Sequence, residues 1–111
     1  MKRLVVLGLL GLTMSGCGGS NSSDRGPSDA ELEVYAQGEI RERLKDPKSA
    51  EFTNVHVYRG GGVTAVCGYV NSKNSFGGMT GRQRFIVAGV TVLEEEMEDG
   101  GMQDVWSRFC R

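Results

Sequence analysis

FTNVHVYRGGGVTAVCGYVN, residues 52–71, decides the fold. Phe52 to Arg59 alternates, with Phe52, Asn54, His56 and Tyr58 on one face and Thr53, Val55 and Val57 on the other. That is the period-two signature of a half-buried strand. Gly60-Gly61-Gly62 supplies a loose turn. Val63 to Asn71 is dense in β-forming residues but only partly alternates, which points to a central strand. Further on, Arg82 to Val87 and Val90 to Glu95 flank Ala88-Gly89 and read as a hairpin. Together these runs predict an antiparallel sheet of three to four strands.

Each side of the sheet region carries a helical pattern. Ser28 and Glu31 have capping-box spacing just after Pro27. Leu32, Tyr35, Ala36, Ile40 and Leu44 then recur as one apolar stripe, with charged residues on the other faces. Asp46-Pro47 ends the pattern, because the residue before proline avoids the α region. Gly38 weakens its middle by roughly 1 kcal/mol relative to alanine. At the other end, Met102, Val105, Trp106, Phe109 and Cys110 follow the i, i+3, i+4, i+7, i+8 spacing of a short terminal helix packed on the sheet. The expected class is α+β: an N-terminal helix, a small antiparallel sheet, a short C-terminal helix and one disulfide.

The opening residues carry an address. Lys2 and Arg3 precede an apolar run from Leu4 to Thr13, and small Ser15 and Gly16 precede Cys17. A run of about 10 apolar residues is too short for a bilayer that needs roughly 20 in a helix. Met14-Ser15-Gly16-Cys17 resembles the lipobox of bacterial lipoproteins, with Met14 where leucine is usual. The resemblance implies diacylglyceryl transfer to the Cys17 thiol, cleavage ahead of it and acylation of the new amino terminus. The first expected partner is therefore a lipid bilayer, since more than one acyl chain makes an anchor stable. Gly18 follows, with no Asp to suggest inner-membrane retention, so the expected location is the periplasmic side of the outer membrane. Residues 1–16 read as a signal peptide. Residues 17–28 (CGGSNSSDRGPSD runs one residue past them) read as a flexible tether without a large apolar side chain. Residues 29–111 form the small domain.

Cysteine usage fits that address. The chain has three cysteines, and an odd number in an exported protein needs explaining. If Cys17 carries lipid, Cys67 and Cys110 remain as a pair for an oxidising compartment. The loop they close is about 43 residues, for which chain entropy gives roughly 4 kcal/mol as an upper figure. Metal binding is the competing use, but the two cysteines and the only histidine, His56, show no ligand spacing. Loss of Lys2 and Arg3 with the signal takes the formal charge from −1 to −3, which argues against general nucleic-acid binding.

LKDPKSAEF (residues 44–52), VCGYVNSKNSFGGMTGRQRFIV (66–87) and the ending VWSRFC (105–110) are similar to stretches of a group of small bacterial and prophage-associated lipoproteins. The resemblance implies a common domain and brings no biochemical activity with it. LEEEMEDGG (93–101) departs from the pattern.

The leading candidate site is the loop from Asn71 to Gly81, NSKNSFGGMTG. It is longer than a tight hairpin, and loops of that length often carry function. In one reading Phe76 and Met79 anchor a partner protein, with Lys73, Asn74 and Arg82 as polar contacts. In the other, Phe76 folds back onto the sheet along a path its glycines permit. Gly77, Gly78 and Gly81 lack the strand and helix context of a phosphate cradle, and no GK[ST] follows. His56 belongs to no recognisable catalytic signature. Glu94, Glu95, Glu96, Glu98 and Asp99 read as a solvated acidic turn without calcium-loop spacing. No cofactor or metal is expected. The favoured function is a binding module on an envelope protein. Behind it stand a structural envelope lipoprotein in weak contact with the cell wall and, last, a hydrolase using His56.

Overall fold

A computed structural model describes residues 26–111 of the chain. The expected signal peptide, Cys17 and the tether as far as residue 25 lie outside the described residues. The elements are α1 (Asp29–Arg41), β1 (Glu51–Tyr58), β2 (Ala65–Asn71), β3 (Gln83–Val87), β4 (Thr91–Leu93) and α2 (Gly101–Phe109), with 3-10 turns at Pro47–Ser49 and Glu94–Glu96. The strands pair in the order β1-β2-β3-β4, each antiparallel to its neighbour. The fold is α+β as expected, with four strands.

α1 begins on a reciprocal cap. Ser28 Oγ accepts a hydrogen bond from the Glu31 N–H at 3.2 Å, and Glu31 Oε1 accepts one from the Ser28 N–H at 2.9 Å. Two backbone donors that a helix start leaves orphaned are thereby satisfied. Ala36 and Ile40 are fully buried and Leu32 packs beside them, but Tyr35 is 59% exposed. The contact stripe is thus narrower than the sequence pattern suggests: residues at i, i+4 and i+8 touch the sheet, and the one at i+3 faces water. The helix also stops at Arg41 instead of reaching Asp46. There the chain tightens to i→i+3 bonds, Arg43 N–H to Ile40 O and Leu44 N–H to Arg41 O. Leu44 still reaches the core from that turn.

The sheet is covered on both faces. On one, α1 and Leu44 close over Val66, Val70, Phe85, Val87 and Leu93. On the other, Met102, Val105, Trp106 and Phe109 of α2 close over Ala65, Cys67 and Ile86. This arrangement explains why β2 loses its alternation: Ala65, Val66, Cys67 and Gly68 are buried in succession. Gly68 leaves room for its neighbours, since a Cβ there would lie 3.0 Å from both Phe85 Cζ and Val55 Cγ2. The second face is cross-linked by the expected disulfide, Cys67–Cys110, joining β2 to the end of α2.

Strand β1 departs from simple alternation. Thr53 pairs with Tyr69 and His56 with Cys67, so two residues, Asn54 and Val55, oppose Gly68 alone. This is a β-bulge, and Asn54 takes a left-handed φ of 52° to make it. The inserted residue shifts the phase of the strand. Phe52, Val55 and Val57 therefore share the α1 face, whereas the sequence pattern separates Phe52 from the valines. At the far edge, β4 is limited to Thr91–Leu93, because Glu94–Glu96 turns away as a 3-10 helix. Ala88-Gly89 makes the expected β3–β4 turn, with Gly89 at φ +81° and the Ala88 N–H bonded to Val90 O at 2.8 Å.

Candidate interaction hairpin

The Asn71–Gly81 segment extends the β2–β3 hairpin beyond the sheet. Its rungs are a bridge between Lys73 and Met79 and a bond from Thr80 N–H to Ser72 O at 2.8 Å. At the tip, the Asn74 N–H bonds to Gly78 O at 2.7 Å and the Gly77 N–H to Asn74 O at 3.1 Å. Asn74 Oδ1 accepts from the N–H groups of Phe76 and Gly78 at 2.9 and 3.1 Å. Asparagine suits this work because its short side chain bonds backbone groups a few residues on. At the base, Asn71 Oδ1 accepts from the Gly81 N–H, and the Lys73 N–H donates to Ser49 Oγ at 2.8 Å. Ser49 Oγ itself donates to Asp46 O. Gly77 and Gly81, at φ +87° and +91°, supply the backbone bends.

Phe76 stands at the tip of this hairpin, 95% exposed. It does not fold back onto the sheet. The turn that Asn74 fixes holds it away, and the glycines serve that turn. Met79 is 44% exposed. Of the other candidates, Lys73 is exposed, while Asn74 spends its carbonyl oxygen on the tip. Arg82 lies over the Tyr69 ring at 4.2 Å. Beneath the hairpin is a cleft of about 160 Å³ that includes Leu44, Ser72, Lys73, Phe76 and Glu95 in its wall.

A second cluster escapes the sequence reading. Tyr69 on β2 and Arg84 on β3 are cross-strand partners on the α2 face. Tyr69 meets Trp106 at 5.6 Å between ring centroids, and the Arg84 guanidinium lies 5.5 Å from the centre of the Trp106 ring. With Arg82 over Tyr69, two arginines and two aromatic rings stack from hairpin to helix. Arg84 also donates to Glu94 Oε2 and to Gln103 Oε1, at 2.8 and 2.9 Å. The hydrogen bond from Arg84 holds the Glu94 carboxyl below its ordinary range and raises the guanidinium pKa in turn. The available signal was the period-two spacing of Arg82, Arg84 and Ile86, which puts Arg84 and Ile86 on one face of β3 and Arg82, just ahead of the strand, in line with them.

The remaining candidates do not assemble. His56 is exposed on the edge strand, against Tyr58 at 6.1 Å between ring centroids. It makes no ion pair with a carboxylate among the described residues. In the acidic turn, Glu94 pairs with Arg84 and Glu96 with Arg43. Among the described residues no group of three or more His, Cys, Asp or Glu side chains is placed to hold a metal ion, and no helix is long and apolar enough to cross a membrane. No family model, curated protein or solved structure matches the chain.

Proposed function

We propose that residues 29–111 are a protein-binding module of the bacterial envelope, held by a lipid on Cys17 at the periplasmic side of the outer membrane, with the Asn71–Gly81 hairpin as its contact element. The observation that carries this reading is the exposure of Phe76 on a hydrogen-bonded tip. Burying a phenylalanine side chain is worth about 1.5–3 kcal/mol, and binding energy concentrates in such anchors. A hairpin already ordered by Asn74 and Asn71 loses little conformational freedom on docking. Lys73 and Arg82 flank the anchor, so an acidic rim on the partner would speed encounter in a salt-dependent way. The lipid address is supported by the lipobox-like sequence and by the Cys67–Cys110 pair, the pairing expected when Cys17 carries lipid.

The test is crosslinking of full-length protein in the envelope followed by affinity capture. Phe76→Ala should reduce recovery of the captured envelope protein at least tenfold. The urea midpoint should stay near the parent's, because exposed substitutions usually change stability by less than about 0.5 kcal/mol. Equal recovery by the variant would remove the hairpin from the reading. Intact mass of the membrane-extracted protein, starting at acylated Cys17, tests the address separately.

A further inference from the structure

We infer that the end of the domain opposite Phe76 rests on the bilayer that holds the anchor, with Val63 and Val90 entering the headgroup layer. The inference rests on the reading of Cys17 as lipidated. It adds which way the domain stands on its membrane.

The surface is built at one end of the antiparallel sheet. The β1–β2 and β3–β4 turns lie there together and carry Val63 and Val90, which are 46% and 65% exposed. Between these turns and the end of α2, Val63, Ile86, Val90, Val92, Val105 and Phe109 line an open groove of about 200 Å³. Apolar side chains gathered at one exposed place mark a contact surface.

The path of the chain names the occupant. α1 starts at this same end, because Arg59, just after β1, pairs with Asp29, the first residue of α1, at 2.8 Å. Cys17 lies twelve residues ahead of Asp29, a reach of at most about 40 Å when fully extended. The strand-like path from Ala65 to Phe76 puts the hairpin tip about 35 Å from that end. The groove end therefore meets the bilayer with chain to spare, whereas Phe76 reaches the same bilayer only on a taut one. Tethering raises the effective concentration to about the millimolar range, so a contact of two valines suffices to set orientation. Charge at this end cancels. Arg59 is paired with Asp29, and Arg108 and Arg111 at the end of α2 are matched in number by Glu31 and Glu33 in the first turns of α1. The contact is apolar, and salt leaves it in place.

The test reconstitutes the lipidated full-length chain, its mass confirming acylated Cys17, in vesicles of phosphatidylethanolamine and phosphatidylglycerol. A fluorophore is attached at Thr64→Cys in one chain and at Ser75→Cys in another, both exposed positions, so Val63, Val90 and Phe76 stay in place. Nitroxide-bearing lipids should quench the Thr64 site at least about threefold more than the Ser75 site, since only the first lies at headgroup depth. Adding Val63→Ser and Val90→Ser to the Thr64→Cys chain should remove the difference, with the urea midpoint near the parent's. Equal quenching at the two sites or stronger quenching at Ser75 would overturn the inference. So would a difference that survives the serine substitutions or vanishes in high salt. The lipid reading stands in each of these cases, because the mass decides it. A chain without acyl groups would overturn that reading and this inference together.

Discussion

Gly68 occupies a point where β2 is pressed from two sides. A Cβ there would meet Phe85 and Val55 at 3.0 Å, and both belong to the α1 core. Gly68→Ala should therefore destabilise the domain by about 1–3 kcal/mol, the usual cost of overpacking, read as a lower urea midpoint. The Arg84–Glu94 pair makes a pH prediction. Its hydrogen bond depresses the Glu94 pKa below 4.5, so the folded chain takes up that proton less readily than the unfolded one. The resulting stability is present above about pH 4.5 and disappears as pH falls through the folded value. Glu94→Gln should lower the midpoint near neutrality and lose less than the parent as pH falls below about 4.5. Urea titrations at several pH values check both halves. At this scale the sequence was partly legible. The composition of the 71–81 loop marks Phe76 as unusual, but its orientation depends on where Asn74 sends its carbonyl oxygen, which no spacing rule reports.

Elements were easier to read than their limits. Capping-box spacing located the start of α1, and the i, i+3, i+4 pattern located α2, because both signals are local. The end of α1 was misread since Leu44 continues the apolar spacing from a turn outside the helix. β1 was misread for a related reason: alternation assumes an uninterrupted strand, and one added residue reverses every face beyond it. The hairpin has its own prediction. Asn74 Oδ1 accepts two backbone bonds at the tip, so Asn74→Ala should leave the sheet intact and free the tip. Amide exchange should accelerate at Phe76 and Gly78 while the β2 and β3 core amides keep their protection. Unchanged exchange at the tip would mean that backbone rungs alone fix Phe76.

Taken as a whole, the molecule is three thin layers with a cross-link between two of them. Each helix faces the sheet through only a few side chains, and a domain this small gains little margin from burial. The Cys67–Cys110 bond spans 43 residues, and its removal should cost up to about 4 kcal/mol on chain-entropy grounds. Cys67→Ala with Cys110→Ala should therefore shift the unfolding midpoint far more than Phe76→Ala, and reduction should shift the parent but not the double variant. The pairing was legible because, on the expectation that Cys17 carries lipid, only Cys67 and Cys110 remain to pair. The two-sided cover of the sheet was not, since it depends on α1 and α2 taking opposite faces, a tertiary choice made by the connections rather than by either helix.

Asn54 bears on how the folded chain tolerates its own neighbours. β1 is the long margin of the sheet, and a margin with an even row of unshared N–H and C=O groups invites another strand to lie alongside. Without Asn54, Phe52, Val55 and Val57 would follow one another at every second position, and the same three side chains would still face α1. The core has no need of the extra residue. What it changes is the outer row, which breaks between Thr53 and His56 and so offers a docking strand only short, misaligned pieces. One residue that contributes nothing to packing thus guards against runaway sheet growth, the route by which small β-rich domains turn into fibres.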